Sequence, residues 1–332
     1  MGRRAILFAF ILYLLMPCGV VWADEPINPQ AAEAIEKGLK FLASKQASNG
    51  SWPSGAATVA VTALSGIALL SAGNTPQGGL YSGSVQRAAA FLVSACDPQN
   101  GYISVQNSNM YNHGFATVFL AEVYGMSRDE KIHEALVRAV RLIENTQNQQ
   151  GGWRYNPVPL DADLSVTICC LMGLRAARNA GVSVSKKTIA SAVAYVKGCQ
   201  NQDGSFTYMF HGEPLKHQGG GGYARTSAGL CSLFYCGLYE GPEIDKGLEY
   251  LRSQYRILTQ PYFMYAQYYA AQAFHQAGGA DWQNYYFFMR DFFLQRQRPD
   301  GSWVGEVSPE YETAMALIVL TMPNELLPIF QR

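Results

Sequence analysis

Six times along the chain a half-charged, half-apolar stretch closes on a bulky apolar pair: Phe41/Leu42, Phe91/Leu92, Leu142/Ile143, Tyr195/Val196, Tyr250/Leu251 and Phe292/Phe293. The second members lie 42 to 55 residues apart, and a near-constant period in that range marks stacked supersecondary units. Within the stretches polarity follows a helical period. Residues 131–142, for example, carry charge on one face only, so such a helix borders solvent. A second kind of helix follows each turn, at residues 56–72, 114–124, 164–174, 226–238, 265–276 and 313–322, apolar nearly all round and rich in Ala, Gly, Ser and Thr. Helices of that composition are buried on every side, which an inner ring sheathed by an outer ring satisfies. An open solenoid would need atypical polar end units, whereas the first and last units here keep the full pattern. The pattern therefore predicts an all-α fold, an α/α toroid of six helical hairpins, with twelve helices in two concentric rings spanning residues 24–332 as one domain.

Four residues beyond each pair stands Gln46, Cys96, Gln147, Gln200, Tyr255 or Gln297. Four beyond each glutamine comes Gly50, Gly151, Gly204 or Gly301, and two further Trp52, Trp153, Phe206 or Trp303, with Asn100-Gly101-Tyr102 as a degenerate copy. Glycine supplies the positive φ that ends a helix, glutamine is expected to bond the orphan carbonyls there, and the aromatic plate packs over the turn. This Gln-x-x-x-Gly-x-Trp pattern resembles the QW repeat of squalene cyclases and prenyltransferase β subunits, and the resemblance runs from about Ala34 to the end. It implies an apolar, isoprenoid-type ligand in a central cavity, with terpene cyclase/isomerase-like or prenyltransferase-like chemistry if the ring is an enzyme.

A chain of 332 residues, 48% hydrophobic, can bury a large core, and a formal net charge of zero gives no reason to expect nucleic acid as a partner. Arg3-Arg4, the apolar run 5–16 and Val21-Trp22-Ala23 have the charged, apolar and small-residue parts of a secretory signal covering residues 1–23. Export to the periplasm or the medium follows; an alternative makes Cys18 the lipidated residue of a lipoprotein. No later apolar stretch looks like a membrane span, so any membrane association would be peripheral. Cys169-Cys170 and Cys231/Cys236 sit inside Ala/Leu-rich runs, where cysteine serves as a small apolar residue and disulfides are optional.

Thr62, Thr117, Thr167, Thr226 and Thr313 recur early in the inner helices, and four residues before them stand Thr58, His113, Asp163, Gly222 and Pro309. His113 and Asp163 thereby fall on neighbouring hairpins at one mouth of the ring, where helix N-termini favour developing negative charge. The long connections 102–113, 154–162 and 207–223 feed the same mouth. In the cyclases that the chain resembles, an Asp-x-Asp-Asp run at the start of an inner helix protonates an alkene. Asp161-Ala162-Asp163-Leu164 matches it except that Leu164 replaces the last carboxylate. The resemblance makes Asp163 the proton donor, Asp161 its tuner and His113 its orienter. The residues themselves leave open a plain N-cap role for Asp161 or Asp163.

Tyr111, Tyr223, Arg225, Tyr265, Tyr268 and Tyr311 are the candidate ligand contacts, since aromatic faces stabilise cationic character along an isoprenoid chain. No Asp-x-Cys zinc signature of the prenyltransferase branch occurs, nor the Cys-Gly-Glu-Gln run of complement-type thioester domains, so no metal or cofactor is expected. Two other classes remain: a non-catalytic ring that binds a lipid or a protein through its loop-rich mouth, and an (α/α)6-type glycoside hydrolase or lyase pairing Asp163 with Glu306 or Glu310.

Overall fold

Helices form where the two apolar patterns fall. The computed structural model describes residues 27–210, 222–259 and 261–331; the proposed leader with Cys18 lies outside them. The outer helices are α1 (Pro29–Lys45), α3 (Ser82–Ser94), α5 (Glu130–Asn145), α7 (Lys186–Gly198), α9 (Pro242–Gln254) and α11 (Gly279–Arg296). The inner helices are α2 (Thr58–Ser71), α4 (Met110–Ser127), α6 (Leu164–Asn179), α8 (Tyr223–Tyr235), α10 (Phe263–Ala277) and α12 (Pro309–Thr321).

The two kinds bury different surfaces. α5 starts at an N-cap, the Asp129 carboxylate accepting from the Lys131 and Ile132 amides, and buries Ile132, Ala135, Leu136, Ala139, Val140 and Ile143 along one stripe. α2 buries every residue from Thr58 to Ser71. Each inner helix packs on the next, α2 on α4, α4 on α6, α6 on α8, α8 on α10, α10 on α12, and α12 returns to α2. The ring is closed, and a hydroxyl bond from Thr321 to Ser71 at 2.8 Å links its last inner helix to its first.

The turns explain the repeated motif and correct one expectation. Trp52, Trp153 and Trp303 donate their indole N–H to the carbonyls of Leu42, Ile143 and Phe293 at 2.7, 2.6 and 2.9 Å. It is therefore tryptophan, not glutamine, that bonds the helix-end carbonyl at the bulky pair. Glutamine works across repeats instead. Gln46, Gln147, Gln200 and Gln297 each donate to the carbonyl of the turn glycine and to one on the following outer helix: Ser84, Thr188, Glu243 and, from Gln297 back to the first repeat, Ala34 at 2.7 Å. Five turn glycines, Gly50, Gly101, Gly151, Gly204 and Gly301, have φ between 81° and 99°, and a Cβ on any of them would overlap a backbone carbonyl of that next helix.

Trp153→Phe keeps the buried plate but removes the shortest bond to the Ile143 carbonyl, leaving it two 3.3 Å contacts from the Thr146 amide and hydroxyl, at a cost of about 1 kcal/mol. The denaturation midpoint is expected to fall accordingly; an unchanged midpoint would show that the indole bond does not hold the helix end.

Candidate active site at the mouth of the ring

In four of the inner helices, α2, α6, α8 and α12, a threonine hydroxyl ties the first turns to the preceding aromatic turn. The backbone amides of Trp52, Trp153, Phe206 and Trp303 donate to Thr62, Thr167, Thr226 and Thr313 at 3.0–3.1 Å. In the second repeat the same slot belongs to His113, whose Nδ1 accepts from the Ile103 amide at 3.1 Å while Nε2 donates to the Ala139 carbonyl at 3.2 Å. Thr117 lies one turn deeper, its hydroxyl bonded to the His113 carbonyl. The sequence alignment of the inner helices thus slips by one turn in α4, because a Thr happens to stand four residues past the true position. His113 is fully buried, and burial pushes its imidazole down to about 4. With both nitrogens engaged by backbone, it holds its hairpin together and has none to spare for orienting Asp163.

Asp163 caps α6: Oδ1 accepts from the Val166 amide at 2.9 Å, so the N-cap use foreseen for it is present. The side chain has no solvent exposure, and Oδ2 makes no hydrogen bond within 3.5 Å among the described residues, with the Tyr208 hydroxyl and the Arg154 Nε, 3.7 Å away, close enough to act on the carboxyl. Burial pushes the carboxyl up to about 6, against the opposing pull of the Val166 amide, the Tyr208 hydroxyl and the Arg154 guanidinium. Asp161 is half-exposed and paired with Arg154. Burial, rather than a neighbouring carboxylate, is what raises Asp163. Over it lie Arg154 and Tyr155 from one connection and Tyr208 from the next, the two phenols joined at 2.6 Å.

The other candidates divide into a floor and a surround. Tyr111 on α4 meets Tyr311 on α12, hydroxyl to hydroxyl, at 3.1 Å, and Tyr265 on α10 donates to Ser165 on α6 at 3.2 Å. These pairs join inner helices that are not neighbours in the ring, so they run across its opening. Tyr111, Ser165 and Tyr265 keep accessible surface there. One layer deeper, Tyr268 on α10 packs edge-on against Phe115 of α4, the helix diametrically opposite, with ring centroids 5.9 Å apart, and Tyr269 bonds Cys169 at 3.2 Å. Tyr268 is therefore beneath the floor. Tyr223 points away from the mouth and shares Gln267 Oε1 with Tyr285; Arg225 occupies the first turn of α8 and its charge reaches Tyr250 on α9. Of the carboxylates that the hydrolase alternative pairs with Asp163, Glu306 accepts from the Tyr262 amide at 2.9 Å and Glu310 stands in the first turn of α12.

Ser165, Arg154 and Tyr208 were not foreseen. Only Arg154 had a signal, a cation placed directly after the motif tryptophan at the start of a long connection. The rim carries apolar side chains, Tyr155, Val158, Leu160, Tyr262, Val304 and Val307, exposed in mouth-side connections among polar ones such as Asn156, Asp161 and Glu306. No group of His, Cys, Asp and Glu suited to a metal ion occurs among the described residues.

The sequence profile of the squalene-hopene cyclase C-terminal domain matches residues 116–276. The fold is similar to that of the type II terpene cyclase MstE from Scytonema, at 14% identity and a TM-score of 0.64 over 90% of this chain and 99% of that one; MstE has also been seen with its substrate, geranylgeranyl dihydroxybenzoate. It is similar too to the GH76A α-1,6-mannanase of Salegentibacter sp. HEL1_6 (10% identity, TM-score 0.66, 88% and 98% of the two chains). A third similar fold is cellobiose 2-epimerase from Spirochaeta thermophila DSM 6192 (13% identity, TM-score 0.65, 89% and 97%). No curated protein matches in sequence.

Proposed function

We propose that the chain, part of which matches the squalene-hopene cyclase profile and whose fold is similar to that of a type II terpene cyclase, is an exported ring that takes an isoprenoid-type chain into its mouth and protonates it from Asp163. The observation that carries this reading is the carboxyl itself: fully buried, raised to about 6, and with Oδ2 free of any short hydrogen bond. A carboxylic acid poised near neutrality is suited to general-acid work. The apolar side chains of the rim and the aromatic floor offer the surface that such a chain would bury, and the same rim suits ligand uptake at a membrane surface. Because Phe115 and Tyr268 meet below the floor, the chain would occupy the mouth-side half of the ring.

Asp163→Asn keeps the cap acceptor and removes the proton. Turnover is expected to fall at least about a hundredfold, while lipid that co-purifies with the mature protein is still retained. In the unsubstituted protein the protonated form is the active one, so the rate should decline as pH rises through about 6. Mass spectrometry of retained and converted lipids reads both; if no isoprenoid is retained or converted by either protein, the enzyme reading is lost.

A different observation favours a second reading, a non-catalytic ring that engages a protein or lipid. The cross-ring bonds fill the centre with side chains, and the exposed rim of Val158, Leu160 and Val307 lies outside it. Retention of a ligand that Asp163→Asn and the unsubstituted protein handle alike would favour it.

A further inference from the structure

The floor of the mouth has more hydrogen-bond donors than it has uses for them. A phenol or a serine hydroxyl carries one proton and accepts through two lone pairs. In the Tyr111–Tyr311 pair one hydroxyl donates to the other at 3.1 Å, so whichever way the bond runs, one phenol proton is left over. In the second pair Tyr265 donates to Ser165 Oγ, and the Ser165 proton has no acceptor among the described residues. Two spare O–H donors therefore sit on the first turns of α4 or α12 and of α6, and three of these four residues are only partly buried. The N-terminal ends of the inner helices add partial positive charge at this level, which favours acceptor atoms over donors.

Charge narrows the chemistry further. Asp163 is two residues from Ser165, and its field reaches Tyr265, so a carboxylate or phosphate on the ligand would meet a like charge whenever Asp163 is ionised. A bare hydrocarbon would bury both hydroxyl protons unpaired, which weakens its binding. A neutral oxygen acceptor meets both conditions. We propose that the chain taken into the mouth carries a carbonyl-class oxygen at its leading end, held by the spare proton of the Tyr111–Tyr311 pair and by the hydroxyl of Ser165. This rests on the reading that the mouth binds an isoprenoid-type chain, and it adds the end by which that chain is held. The aromatic layer of Phe115, Tyr268 and Tyr269 beneath then acts as a stop that sets the depth of the oxygen.

Binding to the mature protein of a C15 isoprenoid aldehyde, of the hydrocarbon of matched length and of the matched primary amine tests this, with calorimetry or fluorescence displacement as readout. The aldehyde is expected to bind about ten to a hundred times more tightly than the hydrocarbon, two neutral hydrogen bonds contributing about 1 kcal/mol each. Ser165→Ala should remove part of that preference, and Ser165→Ala with Tyr111→Phe and Tyr311→Phe should abolish it, with hydrocarbon affinity rising because no unpaired hydroxyl proton is then buried. Thermal melting of each variant checks that the ring is intact, and Ser165→Ala alone, which removes one oxygen atom, keeps the test usable should the triple variant be unstable. Equal affinity for aldehyde and hydrocarbon in the unsubstituted protein, or tightest binding of the amine, would overturn the inference and leave the isoprenoid reading standing. Absence of binding by all three would remove that reading and this inference with it.

Discussion

Gly301→Ala is expected to lower stability by about 4 kcal/mol or more, among the largest effects that a single added methyl group produces. Two independent costs meet at this position. The residue has φ of +88°, which L side chains rarely adopt, and a Cβ there would overlap the carbonyl of Lys37 on α1. That carbonyl belongs to a helix held by the Gln297 bond to Ala34 and by α12, so it cannot retreat alone. The contact is the ring's seam, where the sixth turn docks on the first repeat as each of the first four turns docks on its successor. Gly181→Ala supplies the comparison, because its φ is +97° and nothing lies within 4 Å of an added Cβ. It should cost about 1 kcal/mol, the backbone share alone. Denaturation midpoints separate the two, and hydrogen exchange along α1 should accelerate in Gly301→Ala only. Equal losses at the two sites would mean that the seam tolerates displacement and that closure contributes little to stability.

The recurrence of bulky pair, glycine and tryptophan made this seam legible in outline, since a pattern kept intact in the first and last repeats implies that they face one another. The partition of labour within the motif was not legible. Gln and Trp are both donors close to a helix end, and only the positions of the neighbouring outer helices decide that Trp153 bonds Ile143 while Gln147 bonds Thr188. The same limit applies at the mouth. Asp163 could be found because it precedes an apolar helix in a recognisable run, but its state follows from burial under Arg154, Tyr155 and Tyr208, which arrive on separate connections. The hydroxyl floor joins residues 200 positions apart in one pair and 100 in the other, and no local signal announces such a meeting. His113 shows the reverse error: a residue that looks chemical by type takes a slot that threonine fills elsewhere, because either side chain can accept from an amide at that point.

Glu122 carries the second large effect, and it acts from the opposite end of the ring. It stands in α4 among Phe119, Leu120, Ala121 and Val123, all buried, and is itself 4% exposed. A single carboxyl in a helix that is apolar nearly all round must either pair or give up its charge. It takes a bond from the Ile329 amide in the C-terminal segment, whose Leu327, Ile329 and Phe330 are buried and whose Phe330 carbonyl is held by Gln276 at 2.9 Å. Burial pushes the carboxyl from 4.5 up to about 8, against the smaller opposing pull of the Ile329 amide. Since the folded value lies above the unfolded one, the native state holds the extra proton. The associated stability is complete below about pH 4.5 and is lost progressively as pH rises to about 8. The loss amounts to about 5 kcal/mol if the group titrates in place. Glu122→Gln preserves the acceptor and cannot ionise, so it should match the unsubstituted protein at pH 4.5 and exceed its stability by about 5 kcal/mol at pH 9. Asp163→Asn should shift stability in the same sense but over the lower window from 3.8 to about 6, by about 3 kcal/mol. The two windows make the carboxyls separable in one series of denaturation curves. A Glu122→Gln curve parallel to that of the unsubstituted protein at every pH would show that this end of the ring admits water to the carboxyl, and that the C-terminal segment does not seal it.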